Sequence, residues 1–210
     1  MIKIKEAAVD SVQAARTMIS RGANRLELSD RLDLGGITPD TKTIIDTLEV
    51  SNKIPVVIMV RPRGGNFEYN ETEIHQMLDT IQIIADVGGE IVTFGAIVQD
   101  DLDFSTMMTL IEFAQTLNIQ VVMHMAFDDI AIEKQQYAMN WLYNQGISRI
   151  LTHGGAMDLA VTETLVHLQT LIRNAPAGMT ILPGGGITKL NANTIANKLG
   201  VRELHGTQIV

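Results

Sequence analysis

Short apolar runs alternate with longer amphipathic stretches along this chain. The runs predict strands at Ile2–Glu6, Arg25–Leu28, Val56–Arg61, Glu90–Phe94, Gln120–Met125, Arg149–Leu151, Thr180–Leu182 and Arg202–His205. Several of them, such as Val-Val-Ile-Met-Val and Gln-Val-Val-Met-His-Met, are apolar on both faces. A parallel sheet covered by helices needs strands of that kind. Between them, apolar residues recur at helical spacing. Asn70 and Glu73 form a capping-box pattern ahead of Ile74, Met77, Leu78, Ile81 and Ala85. Asp10 is placed to cap a helix carrying Val12, Ala15 and Ile19 that stops at Gly22. Further stripes are Met107, Leu110, Ile111 and Ala114, and Val161, Leu165, Leu168 and Ile172, with weaker ones at Leu142 and Ile195.

Eight strands alternating with seven helical segments fit either a closed barrel or an open doubly wound sheet. The first strand carries Glu6 at its predicted carboxyl end, where a doubly wound fold would have a Gly-rich turn. The expectation is an α/β fold, a compact TIM-type (β/α)8 barrel spanning residues 1–210 as a single domain. Only five residues follow His205, so the final outer helix should be missing or truncated. Strand 8 would then expose apolar surface, which predicts a homo-oligomer, a dimer or higher. The alternative is that neighbouring helices lean over the gap.

Composition narrows the partners. Hydrophobic residues make up 46% and charged residues 19%, with a net charge of −8. No Lys/Arg block stands out, which argues against nucleic acid and anionic membrane surfaces. The N-terminus lacks the apolar core of a signal peptide, and no apolar run approaches the ~20 residues of a membrane span. A cytoplasmic protein is expected. There are no cysteines, so thiolate metal sites and disulfides are excluded.

In a barrel the chemistry gathers at the carboxyl ends of the strands. Glu6, Glu27, Arg61, His124 and His205 sit at or near those ends and form the candidate catalytic cluster, with Asp30, Arg63, Asp128 and His153 in the loops beyond. Carboxylates, guanidinium and imidazoles converging on one mouth can bind an anion, a metal or a polar small molecule. They can equally form a buried salt-bridge network that closes the top of the barrel. Gly184, Gly185 and Gly186 after strand 7, with Gly206 and Thr207 after strand 8, offer backbone N–H groups for an anion. Arg63 beside Arg61 on a Pro/Gly-shaped loop suits a carboxylate or phosphate, and the Gly-containing loop 33–38 lies after strand 2. A simple tight turn is the alternative for each glycine loop. Met123-His124-Met125 is a soft-metal pattern, but strand alternation sends His124 inward and both methionines outward under the helices. His75 and His167 lie in helical patterns and read as ordinary structural residues. No lysine is placed for a Schiff base, and no nucleophile elbow, Walker loop or zincin helix occurs.

Taken in order, GANRLELSD with LGGITP, MVRPRGGNFEY, VTFGAI, HMAFD, ILTHGG, PGGGI and ELHG resemble the successive motifs of the CutC copper-homeostasis family. The similarity runs from Glu6 to Gly206. The resemblance implies a cytoplasmic (β/α) barrel, often oligomeric, with a role in copper homeostasis and copper as the cofactor or ligand. It carries over Glu6, Glu27, Asp30, Arg61, Arg63, His124, Asp128 and His205 as shared site-like positions. Ser29, Ala7 and Ala8 stand where the family pattern has cysteines, Met125 replaces an arginine, and His153 replaces a serine. Copper binding at the mouth would then fall to His124, His153, His205 and Asp128, without cysteine ligands. The alternative reading is an enzyme acting on a small anionic or phosphorylated metabolite. There Glu6 or Glu27 and His124 would serve as acid and base, and Arg61, Arg63 and Gly184–Gly186 would hold the anion.

Overall fold

In the computed structural model, which describes residues 1–210, eight parallel strands form one sheet. They are β1 Ile4–Val9, β2 Arg25–Leu28, β3 Val56–Met59, β4 Ile91–Phe94, β5 Gln120–Met123, β6 Arg149–Thr152, β7 Thr180–Pro183 and β8 Glu203–Gly206. Seven α-helices intervene: α1 Val12–Ser20, α2 Thr41–Ser51, α3 Glu71–Asp86, α4 Phe104–Thr116, α5 Ile132–Asn144, α6 Val161–Asn174 and α7 Ala192–Leu199. Consecutive strands pair from β1 to β7, and β8 pairs back with β1. That order has no reversal, which removes the doubly wound alternative. β7 and β8 share no ladder. Beyond their carboxyl ends, a bridge joins Thr188 to Gln208, and the Lys189 amide donates to the Gln208 carbonyl at 2.8 Å. The result is a nearly closed (β/α) barrel.

Strand alternation divides the side chains into two populations. Outward residues such as Leu26, Ile58, Val92, Phe94, Met123 and Ile150 join the helices in a 45-residue apolar core. Inward residues make only a three-residue apolar cluster, Val57, Ile91 and Val122. Much of the remaining interior is polar, with Glu6, Arg25, Glu27, Thr93 and His205 all buried. Such groups are tolerated inside only when they are paired or serve a ligand.

The predicted capping box is present, Asn70 accepting from the Glu73 amide and Glu73 from the Asn70 amide. Helix α1 is capped by Ser11 rather than Asp10: the Ser11 hydroxyl accepts from the Ala14 amide at 3.2 Å. A small antiparallel hairpin, Ile97–Val98 with Asp101–Leu102, follows β4. Its turn residues Gln99 and Asp100 both have positive φ, 48° and 59°, the conformation a two-residue hairpin favours. Arms of two residues are too short to show a periodicity in sequence.

No helix follows β8, as expected. The closing residues Ile209 and Val210 instead fold in, 0% and 8% exposed, and Leu204 on β8 is fully buried. The apolar face that pointed to an oligomer is thus covered by the chain itself, with α7 packed on β8. No helix is long and apolar enough to cross a membrane.

Candidate functional site

The polar interior begins at the amino-terminal end of the barrel as a ladder of charges. Arg149, Glu203 and Arg25, the first residues of β6, β8 and β2, lie in sequence: Arg149 Nε is 3.8 Å from Glu203 Oε2, which accepts from Arg25 Nη1 at 2.9 Å. Arg25 Nε then pairs with Glu6 Oε2, and Glu6 Oε1 meets His205 Nδ1 at 2.9 Å. The last rung faces the mouth, with His205 Nε2 at 3.7 Å from Glu27 Oε2.

Depth decides how each carboxyl behaves. At Glu6, burial opposes ionisation, but His205 and Arg25 outweigh it and hold the carboxyl at about 2. At Glu27, burial dominates and, helped by the Glu6 charge, pushes the carboxyl up to about 7 against the pull of His205 and Arg25. Burial disfavours the His205 imidazolium, yet Glu27 and Glu6 together raise its pKa above the ordinary value. The Glu27 carboxyl therefore sits near neutral beside an imidazole whose pKa is raised.

Above this pair lies a pocket of about 230 Å³ at the carboxyl ends of the strands. Glu27, Ser29, Arg61, His124, His205 and Gly185 contribute to its wall. Three of the wall residues bury a polar atom that has no partner in the protein: Ser29 Oγ, Arg61 Nε and His124 Nε2. His124 sits just after β5, at the start of a single 3-10 turn, Met125–Asp129, and its Nδ1 accepts from the Ala126 amide at 3.2 Å. That bond fixes the tautomer with the proton on Nε2. Burial, with the Arg61 charge behind it, pushes the imidazole down to about 3, so His124 is a neutral N–H donor. Phe67 supports it, ring centroids 4.9 Å apart, and the Arg61 guanidinium lies 4.5 Å over the other end of the arrangement at the Phe67 ring. Arg61 spends Nη1 on the carbonyls of Leu34, Gly35 and Gly36 at 3.0–3.2 Å and Nη2 on Gly65 at 2.6 Å. No carboxylate pairs with it directly, so its charge is left to the pocket. The Gly185 and Gly186 amides likewise have no acceptor within the protein.

The structure brings Glu27, Arg61, His124 and His205 together, with Gly185, Gly186, Gly206 and Thr207 at the rim. It separates the others. Glu6 is a mid-strand residue, because β1 continues through Ala7, Ala8 and Val9, and it lies below the pocket as the partner that orients His205. The salt-bridge network exists, but it fills the lower barrel and does not close the top. Arg63 is outside the pocket wall and is occupied by Glu73 at 2.5 Å and by the Asn66 and Glu68 carbonyls. The Gly184 amide donates to the Thr152 carbonyl, so it is not free for an anion. Asp30 is exposed and accepts from the Arg31 amide. His75 and His167 are satisfied locally, by the Glu71 carbonyl and the Gln135 side chain. Met123 is buried outside the barrel as expected, but Met125 turns to the pocket: β5 ends at Met123, and strand alternation stops with it. Sequence marks Ser29 only as standing where the family pattern has a cysteine, and it does not single out Phe67. Phe67 lies in the RPRGGNF motif, but only the contact with His124 reveals its part.

The residues expected to hold copper do not form a ligand set. Asp128 accepts from the Thr152 hydroxyl and from the amides of His153, Gly154 and Gly155 at 2.5–3.2 Å, bracing the loop after β6. His153 has both ring nitrogens 3.1 Å from backbone carbonyls, of Gly184 and Leu159. The free nitrogen of His124 carries a proton and not a lone pair. Glu6, Glu27 and His205 place ligand atoms within 4.8 Å of one another. Glu6 and His205 are already bonded together there, and the Arg25 guanidinium alongside repels a cation.

A model of the CutC family matches residues 3–210. A CutC family protein of Enterococcus faecalis is 39% identical over 210 residues, covering 99% of this chain and 100% of its own. The copper homeostasis protein cutC homolog of Homo sapiens is 34% identical over 203 residues, 96% of this chain and 72% of its own. A crystal structure of the copper homeostasis protein CutC from Streptococcus agalactiae superposes with a TM-score of 0.92 at 30% identity, covering 100% of both chains.

Proposed function

This chain belongs to the CutC family, and from that premise we propose that its part in copper homeostasis runs through a small anionic molecule bound at the barrel mouth, on which Glu27 moves a proton. The observation that carries this reading is a trio of buried, unpartnered donors, Ser29 Oγ, Arg61 Nε and His124 Nε2, belonging to three residues that line one pocket. An unpaired buried donor costs roughly 1–3 kcal/mol, so three around one cavity fit an oxygen-rich ligand that completes them. Arg61 adds a positive charge without a bonded carboxylate, and the Gly185 and Gly186 amides add two further donors at the rim. Glu27 is the single carboxyl of the pocket wall, and it titrates where a general acid–base group works best.

Titration calorimetry with oxalate and with inorganic phosphate tests the reading. Saturable binding by the wild-type chain, weakened about tenfold or more in a Ser29→Ala, His124→Phe double variant, is expected. Absence of binding by both probes at millimolar concentration counts against it. A parallel titration with Cu(I) against a competing chelator should show no high-affinity site, and a tight one-to-one complex would return the function to direct copper binding.

A further inference from the structure

Resting on that reading and deepening it, we infer that the pocket transfers a proton at a carbon next to a carbonyl group, on a small carbonyl compound that bears a carboxylate or phosphate, with Glu27 as the base and His124 as the group that polarises the carbonyl.

His124 is held as a hydrogen-bond donor and not as a base. Its Nδ1 is committed to the Ala126 amide, so the ring cannot act as a base through that nitrogen. The Nε2–H is buried and lacks a partner, on a residue that lines the pocket. A neutral imidazole in such a place is a hydrogen-bond donor that loses little acidity mismatch with an enolate oxygen, and pairing one with a carboxylate base is a known solution for enolisation. Glu27 supplies that base from β2, on the same pocket. It has no hydrogen-bond donor closer than His205 Nε2 at 3.7 Å, so its oxygens are available to a substrate. His205 is the positioning residue: Glu6 fixes its Nδ1 at 2.9 Å and thereby aims its Nε2 at Glu27. Arg61 and the Gly185 and Gly186 amides remain for the anionic end.

The step balances within substrate and enzyme. The Glu27 carboxylate takes the proton from the α-carbon, the C–H electron pair becomes a C=C bond, and the carbonyl π pair moves to oxygen. The His124 Nε2–H donates a hydrogen bond to that enolate oxygen. Return of the proton from Glu27 to the same carbon restores the carbonyl compound and regenerates the carboxylate. No co-reactant is consumed.

Proton NMR in deuterium oxide, with dihydroxyacetone phosphate and pyruvate as the probes, reads the step directly. The wild-type chain should wash deuterium into the α-position of at least one probe above the protein-free rate. Glu27→Gln should lower that rate by about 100-fold or more, and His124→Phe by about 100-fold, with calorimetry showing that both variants still bind the probe. A wild-type chain that binds a probe yet exchanges it at the protein-free rate overturns this inference and leaves the anion site standing. Exchange that survives Glu27→Gln also overturns it. If neither probe nor oxalate nor phosphate binds, both readings fall together.

Discussion

The lower interior of the barrel and its mouth are built from the same residue types to opposite effect. Below, Glu203, Arg25, Glu6 and His205 are joined by close ion pairs, with Arg149 Nε 3.8 Å from Glu203 at the end of the ladder. Above, Glu27, Arg61 and His124 share one pocket; Glu27 has only His205 at 3.7 Å, and Arg61 has no carboxylate bonded to it. Burial is similar in both places, with Glu6 2% and Glu27 5% exposed. What differs is the pairing of the two carboxyls: Glu6 is bonded on both oxygens, and Glu27 on neither. The two carboxyls accordingly move in opposite directions, Glu6 to about 2 and Glu27 to about 7. A buried charge that is fully paired holds structure together, whereas one left incomplete is available to a ligand.

Removing one rung of the ladder should give the largest effect. Arg25→Leu takes from Glu6 and Glu203 the guanidinium they share, leaving Glu6 to His205 and Glu203 to Arg149, and a loss on the order of 3–5 kcal/mol in urea unfolding is expected. A loss below about 1 kcal/mol would show that water or relaxation replaces the pair, and the contrast with the mouth would then dissolve.

The pH dependence of stability separates the two carboxyls next. Glu6 is depressed below its ordinary 4.5, so its contribution is present above that value and disappears as pH falls towards 2. Glu27 is raised, so the folded state holds its proton more tightly than the unfolded chain does. Its contribution is present below 4.5 and is lost as pH rises through about 7. Glu27→Gln should therefore gain on the wild type between pH 5 and pH 8, on the order of 2 kcal/mol by denaturant titration. A variant that tracks the wild type across that range would place Glu27 among the paired groups.

The smallest change is expected at His124. His124→Phe forfeits one capping bond but removes an unpartnered N–H, so stability should stay within about 1 kcal/mol of wild type. A larger loss in thermal unfolding would mean that His124 holds the mouth together and does not wait for a ligand.

The order of elements was legible before the fold was known, because its signals are local. Apolar runs marked all eight strands, and Asn70 with Glu73 marked the start of α3. Errors of one to three residues mattered most at β1. Ending that strand at Glu6 put the carboxylate at the mouth, whereas the alanines and valine that follow carry the strand on and leave Glu6 in the ladder. At the site, the sequence identified Glu27, Arg61, His124 and His205 by type and position. It could not distinguish them from Arg63, Asp128 and His153, whose polar atoms are consumed by Glu73 and by loop backbone.

Sequence alone determined that the chain alternates eight strands with seven helices, that the strands are covered on both sides, and that polar residues cluster near the strand ends. Periodicity and capping depend on neighbours a few positions apart, so they can be read along the chain. Only the tertiary structure decided which polar residues satisfy one another and which face the pocket unpaired. That decision rests on register and depth across a nearly closed barrel, where Glu6 meets His205 across a separation of 199 residues.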